Sequence, residues 1–181
     1  GAAGADVAVL EGVMGFYDGM APGVAEASSY QVARDTETPV VLVVNGRGAS
    51  LSLAAVIRGI AEFLPCANVR GVLNRTSAAA CAYAAPAIEK HTGVAVLGNI
   101  PADETFSLES RHLGLVLPNE IPQLKSRLLK LAEVLEKSLD IDGILKLAES
   151  APAMEEVSLT AEYTLEQPVR IGVAEDEAFC F

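Results

Sequence analysis

Short apolar runs rich in β-branched residues alternate along this chain with helical stretches, and this alternation constrains the fold more than any other feature. The runs are continuously apolar, as is typical of strands covered on both faces of a sheet. Because strands alternating with helices form βαβ units, the pattern predicts an α/β fold with a mostly parallel open sheet flanked by helices. The predicted strands are Val7–Leu10, Val40–Val44, Val69–Leu73, Val94–Leu97 and Val169–Val173.

Helical periodicity marks most of the segments between these runs. The clearest amphipathic stretch is residues 119–137, where leucines and isoleucines recur at spacings of three and four and form one apolar stripe predicted to face the sheet. The predicted helices are Ser28–Arg34, Ser50–Leu64, Ala78–His91, 119–137 and Ile141–Ala148.

The domain organisation follows from a change in patterning near the C-terminus. Residues 151–168 are acidic and weakly patterned, with a proline near each end, and we interpret them as a linker. Residues 1–150 then form a main domain, and residues 169–181 are the start of a second. The chain begins within the βα pattern and ends at a strand, so we expect a fragment truncated at its N-terminus.

Composition excludes several classes of function. The net charge of −11 disfavours nucleic acid as a partner, and a solvated surface explains the acidity. No apolar run is long enough to span a bilayer, so no membrane partner is expected. Cys66, Cys81 and Cys180 have neither CxxC spacing nor nearby histidines, which indicates core cysteines of a reducing, cytoplasmic compartment.

The segment EGVMGFYDG, residues 11–19, is the most informative for chemistry. It follows the first predicted strand, and ligands of open parallel sheets bind beyond the carboxyl ends of strands. Its glycines allow tight turns and close approach of backbone N–H groups to an anion. Glu11 and Asp18 could therefore converge on one hard cation or polar substrate. A surface turn with two solvated carboxylates is the alternative.

This segment resembles the signature of the cobyrinic acid a,c-diamide synthase family. Further stretches resemble that family in the same order: PVVLVVNGRG at 39–48, GVLNR at 71–75, ESRHLGL at 109–115 and DEAFCF at 176–181. The resemblance covers nearly the whole chain. The last stretch is similar to the opening of the family's glutamine amidotransferase domain. The resemblance implies that the same chain carries this domain as the partner of the ligase domain.

The resemblance implies a P-loop NTPase fold of the dethiobiotin-synthetase type. It also implies ATP- and glutamine-dependent amidation of the a and c side-chain carboxylates of cobyrinic acid, through acyl-phosphate activation with Mg²⁺. Glu11 would bind the metal, and Gly12 and Gly15 would lie against the nucleotide. Asp18 and Tyr17 would lie beside the reacting carboxylate, as catalytic residues.

Two further pairs of residues receive roles from the same resemblance. Asn74, with Arg75, matches the asparagine that reads the adenine edge, because its amide offers both a donor and an acceptor. A strand-terminal turn is the alternative. Arg111 and His112 would hold substrate carboxylates or phosphates, since arginine offers a fixed fork of donors. A structural histidine packed on the leucines that follow it is the alternative there.

The chain also departs from the family pattern. Asn45 stands where the family usually has aspartate, and the 181 residues contain no GxxxxGKS/T phosphate loop. We therefore expect this segment alone to be inactive. A non-catalytic binding module is an alternative function, as is amidation of hydrogenobyrinic acid or nickel-sirohydrochlorin. The oligomeric state stays open, with a homodimer among the alternatives.

Overall fold

The computed structural model describes residues 4–64, 68–106, 121–153 and 169–174. Three parallel strands form one open sheet in the order β1-β2-β3, with β1 at Val40–Asn45, β2 at Val69–Asn74 and β3 at Val96–Ile100. The predicted α/β fold with a parallel open sheet and flanking helices is confirmed. The helices are α1 (Ser29–Asp35), α2 (Leu51–Phe63), α3 (Ala78–Thr92), α4 (Leu124–Ser138) and α5 (Ile141–Glu149), with a 3₁₀ turn at Glu104–Phe106.

Two predicted strands, Val7–Leu10 and Val169–Val173, are wrong. Neither segment has strand structure, and their valines, leucine and isoleucine are exposed. An extended segment becomes a strand only when a neighbour accepts and donates its backbone hydrogen bonds. Both runs have the apolar composition of strands, but no described neighbour pairs with either of them. The predicted strand Val94–Leu97 is shifted, because β3 starts at Val96 and continues to Ile100.

Capping residues in the sequence predict the ends of the helices more accurately than apolar runs predict the strands. Ser28 and Ser77 each accept a hydrogen bond from a backbone N–H in the first turn of α1 and α3. Gly93 ends α3 in the left-handed conformation that suits glycine. The helix predicted to begin at Ser50 begins one residue later, at Leu51, and the Ser50 side chain makes no capping hydrogen bond.

The predicted helix at 119–137 is shorter at its start than expected, since α4 begins at Leu124. Residues 119 and 120 lie outside the described part of the chain. None of the residues of α4 is buried, and Leu128 is half exposed. The apolar stripe is therefore only partly covered, in contrast to the prediction that it faces the sheet.

Apolar side chains pack on both faces of the sheet. On one face, α2 and α3 enclose a cluster whose most buried members are Ile57, Leu73 and Ile88. On the other face, a smaller cluster joins Val72 and Leu97 to Leu147 of α5. These two clusters hold the strands in place, and so they fix where the carboxyl ends of the strands lie.

The described cysteine supports the interpretation of the cysteines as core residues. Cys81 is free and buried, and burial raises the pKa of its thiol above the usual value. Cys66 and Cys180 lie outside the described residues.

Within the described chain, the helices are too short or too polar for any to traverse a bilayer.

We expect Ile57→Ala to lower the free energy of unfolding by about 2–5 kcal/mol, because it leaves a cavity in the larger cluster. Urea denaturation followed by circular dichroism measures the change. The matched control is Val56→Ala at the neighbouring position, which is 51% exposed and should shift stability by at most about 0.5 kcal/mol. Equal effects of the two substitutions would contradict the assigned core.

Candidate functional site

The segment 11–19, here called the glycine loop, is folded by contacts that its glycines permit. The Asp18 N–H donates to the Gly15 carbonyl at 2.9 Å, and a Cβ on Gly15 would collide with the Asp18 carboxylate. The Gly19 N–H donates to the Val24 carbonyl at 3.2 Å, and a Cβ there would collide with that oxygen and with the Glu26 carbonyl oxygen. The two backbone oxygens make glycine necessary at position 19, whereas at position 15 the Asp18 side chain could rotate aside.

The start of the glycine loop lies against the first turn of α1. A Cβ on Gly12 would come within 2.5 Å of Ser29 Oγ, so a larger residue would require the Ser29 side chain to move. The Tyr30 N–H donates to the Phe16 carbonyl at 2.9 Å, which ties the loop backbone to the same turn. Ser28, which is buried, donates from its hydroxyl to the Ala25 carbonyl at 2.6 Å and holds the connecting segment.

Aromatic side chains attach the glycine loop to α2. The Tyr17 hydroxyl donates to the Ile60 carbonyl in the last turn of that helix. The Tyr17 ring lies 5.2 Å, centroid to centroid, from the Phe63 ring and 5.2 Å from the Tyr30 ring, within the range of favourable aromatic pairs. The loop is thus held by side chains of two helices.

The two carboxylates of the glycine loop face solvent. Both Glu11 and Asp18 are exposed, whereas Phe16 and Tyr17 between them are half-buried. Nowhere in the described ranges do three or more histidine, cysteine, aspartate or glutamate side chains form a group suited to holding a metal ion. A cation at Glu11 would therefore take most of its ligands from water or from a bound phosphate group.

A second group of polar residues lies at the carboxyl ends of the strands, where the register places Asn45 of β1 beside Asn74 of β2. The Gly46 N–H donates to the Asn74 carbonyl at 2.8 Å, and the Thr76 N–H donates to the Ile100 carbonyl at 3.0 Å. Buried Asn99 donates from Nδ2 to the Thr76 carbonyl at 2.7 Å. These hydrogen bonds connect the ends of all three strands.

The Asn74 side chain takes part in the turn that follows β2. Its Oδ1 accepts from the Arg75 N–H at 2.8 Å, and Arg75 has a positive φ of 55°. Asn74 is half-buried and Arg75 is exposed. The strand-terminal turn proposed as the alternative is thus present, and it leaves the Nδ2 group of Asn74 without a contact among the described hydrogen bonds.

The described contacts of the glycine loop and of Asn74 lie on different elements. Because α2 leads from the carboxyl end of β1 to the amino end of β2, its last turn lies toward the amino ends of the strands. Ile60, which holds Tyr17, is about 13 Å along the helix axis from Leu51. No described hydrogen bond or ion pair joins Glu11 or Asp18 to Asn74. The expectation that Glu11 directly follows a strand is wrong, since Val7–Leu10 is not one.

Some residues of the candidate site lie beyond these contacts or were not predicted. Arg111 and His112 are outside the described residues. Tyr30 and Phe63, which contact Tyr17, were missed, because nothing in the sequence near either residue indicates a contact with the loop. Ser28 was detectable as an N-cap, since Gln31 three residues later completes a capping-box spacing.

Comparison with known proteins finds curated relatives along nearly the whole chain. The chain is 42% identical over 189 residues to the cobyrinate a,c-diamide synthase of Syntrophotalea carbinolica, covering 99% of this chain and 39% of that protein. It is 38% identical over 181 residues to the synthase of Gloeobacter violaceus, covering 98% and 39%. The synthase of Limosilactobacillus reuteri is 34% identical over 178 residues, covering 97% and 38%. The chain thus spans about two fifths of the length of these relatives.

No protein-family model matches the chain, and no solved structure matches it significantly. The parallel sheet with helices on both faces places it among α/β proteins and is consistent with a P-loop NTPase-like fold. The similarity to curated relatives along the chain indicates a narrower class of protein than the fold does. Over nearly its whole length the chain is similar to proteins named cobyrinate a,c-diamide synthase.

We expect Gly19→Ala to lower the free energy of unfolding by about 2 kcal/mol, because the new Cβ collides with two backbone oxygens that cannot rotate away. Gly59→Ala is the control: it lies inside α2 with open space around its Cβ, so it should raise stability by about 0.5–1 kcal/mol. Chemical denaturation followed by tyrosine fluorescence measures both. A stabilised Gly19→Ala variant would show that the loop has another conformation.

Proposed function

We propose that the full-length protein carrying this chain amidates the a and c side-chain carboxylates of cobyrinic acid, using ATP and glutamine. The observation that supports this proposal is the similarity along nearly the whole chain to proteins named cobyrinate a,c-diamide synthase. Those relatives are more than twice as long as this chain, so the proposal concerns the whole protein. A ligase of this kind belongs to cobalamin biosynthesis, and we place it in the cytoplasm.

The glycine loop has the residue types that a magnesium-bound phosphate group requires. Glu11 is an exposed carboxylate, and Mg²⁺ is commonly held by one or two carboxylates together with water and substrate phosphates. We assign Glu11 to the metal, and Gly12 and Gly15 to close approach of the nucleotide. When bound, Mg·ATP would supply the phosphoryl group that converts the substrate carboxylate to an acyl phosphate, which ammonia then displaces.

We assign Asp18 to the reacting centre. Its carboxylate is exposed, and the turn to Gly15 holds its backbone. There it would orient ammonia or the activated carboxylate, and positioning accounts for much of the rate in phosphoryl and acyl transfer. Arg111 and His112 are proposed to hold other carboxylates of the corrinoid substrate.

The adenine base is assigned to Asn74, with Arg75 beside it. Recognition of an adenine edge needs a donor and an acceptor on one side chain, and the amide of asparagine supplies both. Because the described contacts do not join Asn74 to the glycine loop, this assignment rests on the sequence match. The loop and the strand end are therefore tested by separate variants.

The domain boundaries are part of the proposal. Residues 1–150 would belong to the amide ligase domain, residues 151–168 to a linker, and residues 169–181 to the start of a glutamine amidotransferase domain that supplies ammonia.

Two alternative substrates, hydrogenobyrinic acid and nickel-sirohydrochlorin, carry the same kind of carboxylate as cobyrinic acid. Parallel titrations of the full-length protein with cobyrinic and hydrogenobyrinic acid distinguish them, and a module that only binds would titrate without releasing ADP.

We expect Glu11→Gln in the full-length protein to reduce Mg²⁺-dependent amidation by about 100-fold or more while the protein stays folded, because the amide lacks the charge that holds the metal. A coupled ADP-release assay across Mg²⁺ concentrations measures this effect. The control is Glu133→Gln, which removes an exposed carboxylate from α4 and should behave as the parent. Parental turnover by Glu11→Gln would remove Glu11 from the metal site.

For Asn74, two substitutions separate a nucleotide contact from a turn. Asn74→Ala should raise KM for ATP about tenfold and reduce discrimination against GTP, since a good hydrogen bond contributes roughly that factor. Asn74→Asp keeps an oxygen that accepts from the Arg75 N–H but loses the Nδ2 donor, so it should raise KM as well. If Asn74→Asp retained the parental KM and preference for ATP, the turn alone would explain this residue.

A further inference from the structure

Tyr17 is the best-connected residue of the glycine loop, and its hydroxyl is already engaged within the protein. The hydroxyl donates to the Ile60 carbonyl in the last turn of α2. A tyrosine hydroxyl has one proton to donate. While this contact holds, Tyr17 cannot donate the same proton to a substrate.

The ring of Tyr17 has partners in three parts of the molecule. Its centroid lies 5.0 Å from that of Phe16 in the loop, 5.2 Å from Tyr30 in α1 and 5.2 Å from Phe63 in α2. Tyr30 is almost fully buried, with 4% of its surface exposed. These four rings and the Ile60 carbonyl, here called the aromatic latch, hold the loop against two helices.

The aromatic latch lies next to Asp18, the residue that we assign to the reacting centre. Asp18 follows Tyr17 directly, and its N–H closes the turn on the Gly15 carbonyl. The backbone of Asp18 is therefore held on one side by the latched Tyr17 and on the other by its own turn hydrogen bond. Loss of the latch would release the backbone that carries Asp18, and a misplacement of about 1 Å can reduce a rate about 100-fold.

We infer that Tyr17 is a positioning residue, which acts through the aromatic latch to set the place of Asp18 in the amidation reaction. The inference rests on the proposed function. It assigns Phe63 and the Ile60 carbonyl a supporting role in the same reaction, although both belong to α2. It differs from a catalytic role for Tyr17, because no contact of Tyr17 with the reacting atoms is required.

The test uses steady-state amidation of cobyrinic acid by the full-length protein. Tyr17→Phe keeps the ring and removes the hydroxyl, and Phe63→Leu removes the partner ring on α2. Each should lower kcat about tenfold while KM for ATP stays within about twofold of the parent, because the nucleotide contacts are unchanged. The control is Tyr83→Phe, which makes the same change on a tyrosine of α3 that is 79% exposed, and it should match the parent.

A double-mutant cycle with Asp18→Asn distinguishes positioning from general stability. If Tyr17 acts through Asp18, Tyr17→Phe should cost less than about twofold in the residual activity of Asp18→Asn. A full tenfold loss in that background would overturn the inference, and so would parental kcat of both Tyr17→Phe and Phe63→Leu. Abolished activity of Tyr17→Phe with parental Phe63→Leu would show direct contact with the substrate, which also overturns it.

Failure of the proposed function gives a different result. If the parent protein does not amidate cobyrinic acid, the proposed function is wrong, and the role of Tyr17 in that reaction is wrong with it. If the parent amidates and the variants lack the expected pattern, the latch alone is wrong. Thermal unfolding of each variant is recorded, and should Tyr17→Phe be unfolded at the assay temperature, Phe63→Leu and its cycle with Asp18→Asn decide the outcome.

Discussion

Both apolar clusters of the domain depend on β2, because it lies between β1 and β3 and its neighbouring residues point to opposite faces of the sheet. Leu73 packs into the larger cluster with α2 and α3, and Val72 packs into the smaller one with α5. Only a strand with partners on both edges can bury both faces while its backbone groups stay hydrogen-bonded. β1 and β3 pair directly with this strand, and α2, α3 and α5 pack on its two faces.

The carboxyl end of the sheet and the glycine loop are held by different kinds of interaction. Backbone hydrogen bonds join the strand ends through Gly46, Asn74 and Thr76, and the Asn99 side chain adds a buried hydrogen bond. The glycine loop is held mainly by aromatic packing and by a few backbone contacts to α1 and α2. The strand ends are therefore preorganised by the sheet, whereas the place of the loop depends on the helices around it.

Sequence patterns located the described strands β1 to β3 and the helices to within a few residues, except the start of α4. That success has a local cause, since β-branched runs, serine caps and the glycine after α3 act within a few residues of themselves. The same reasoning failed for Val7–Leu10 and Val169–Val173, which have the composition of buried strands. Pairing is a long-range property, and composition alone does not supply a partner.

The sequence by itself determined the α/β class, the glycine-dependent turn around Asp18, and the place of Asn74 at the end of a strand. These properties depend on periodicity and on which residues tolerate close backbone approach. Only the tertiary structure decided that Tyr17 donates to Ile60, 43 residues away, and that the loop lies toward the last turn of α2. The reason is physical: such contacts depend on how a helix packs on the sheet, and no local pattern encodes that packing.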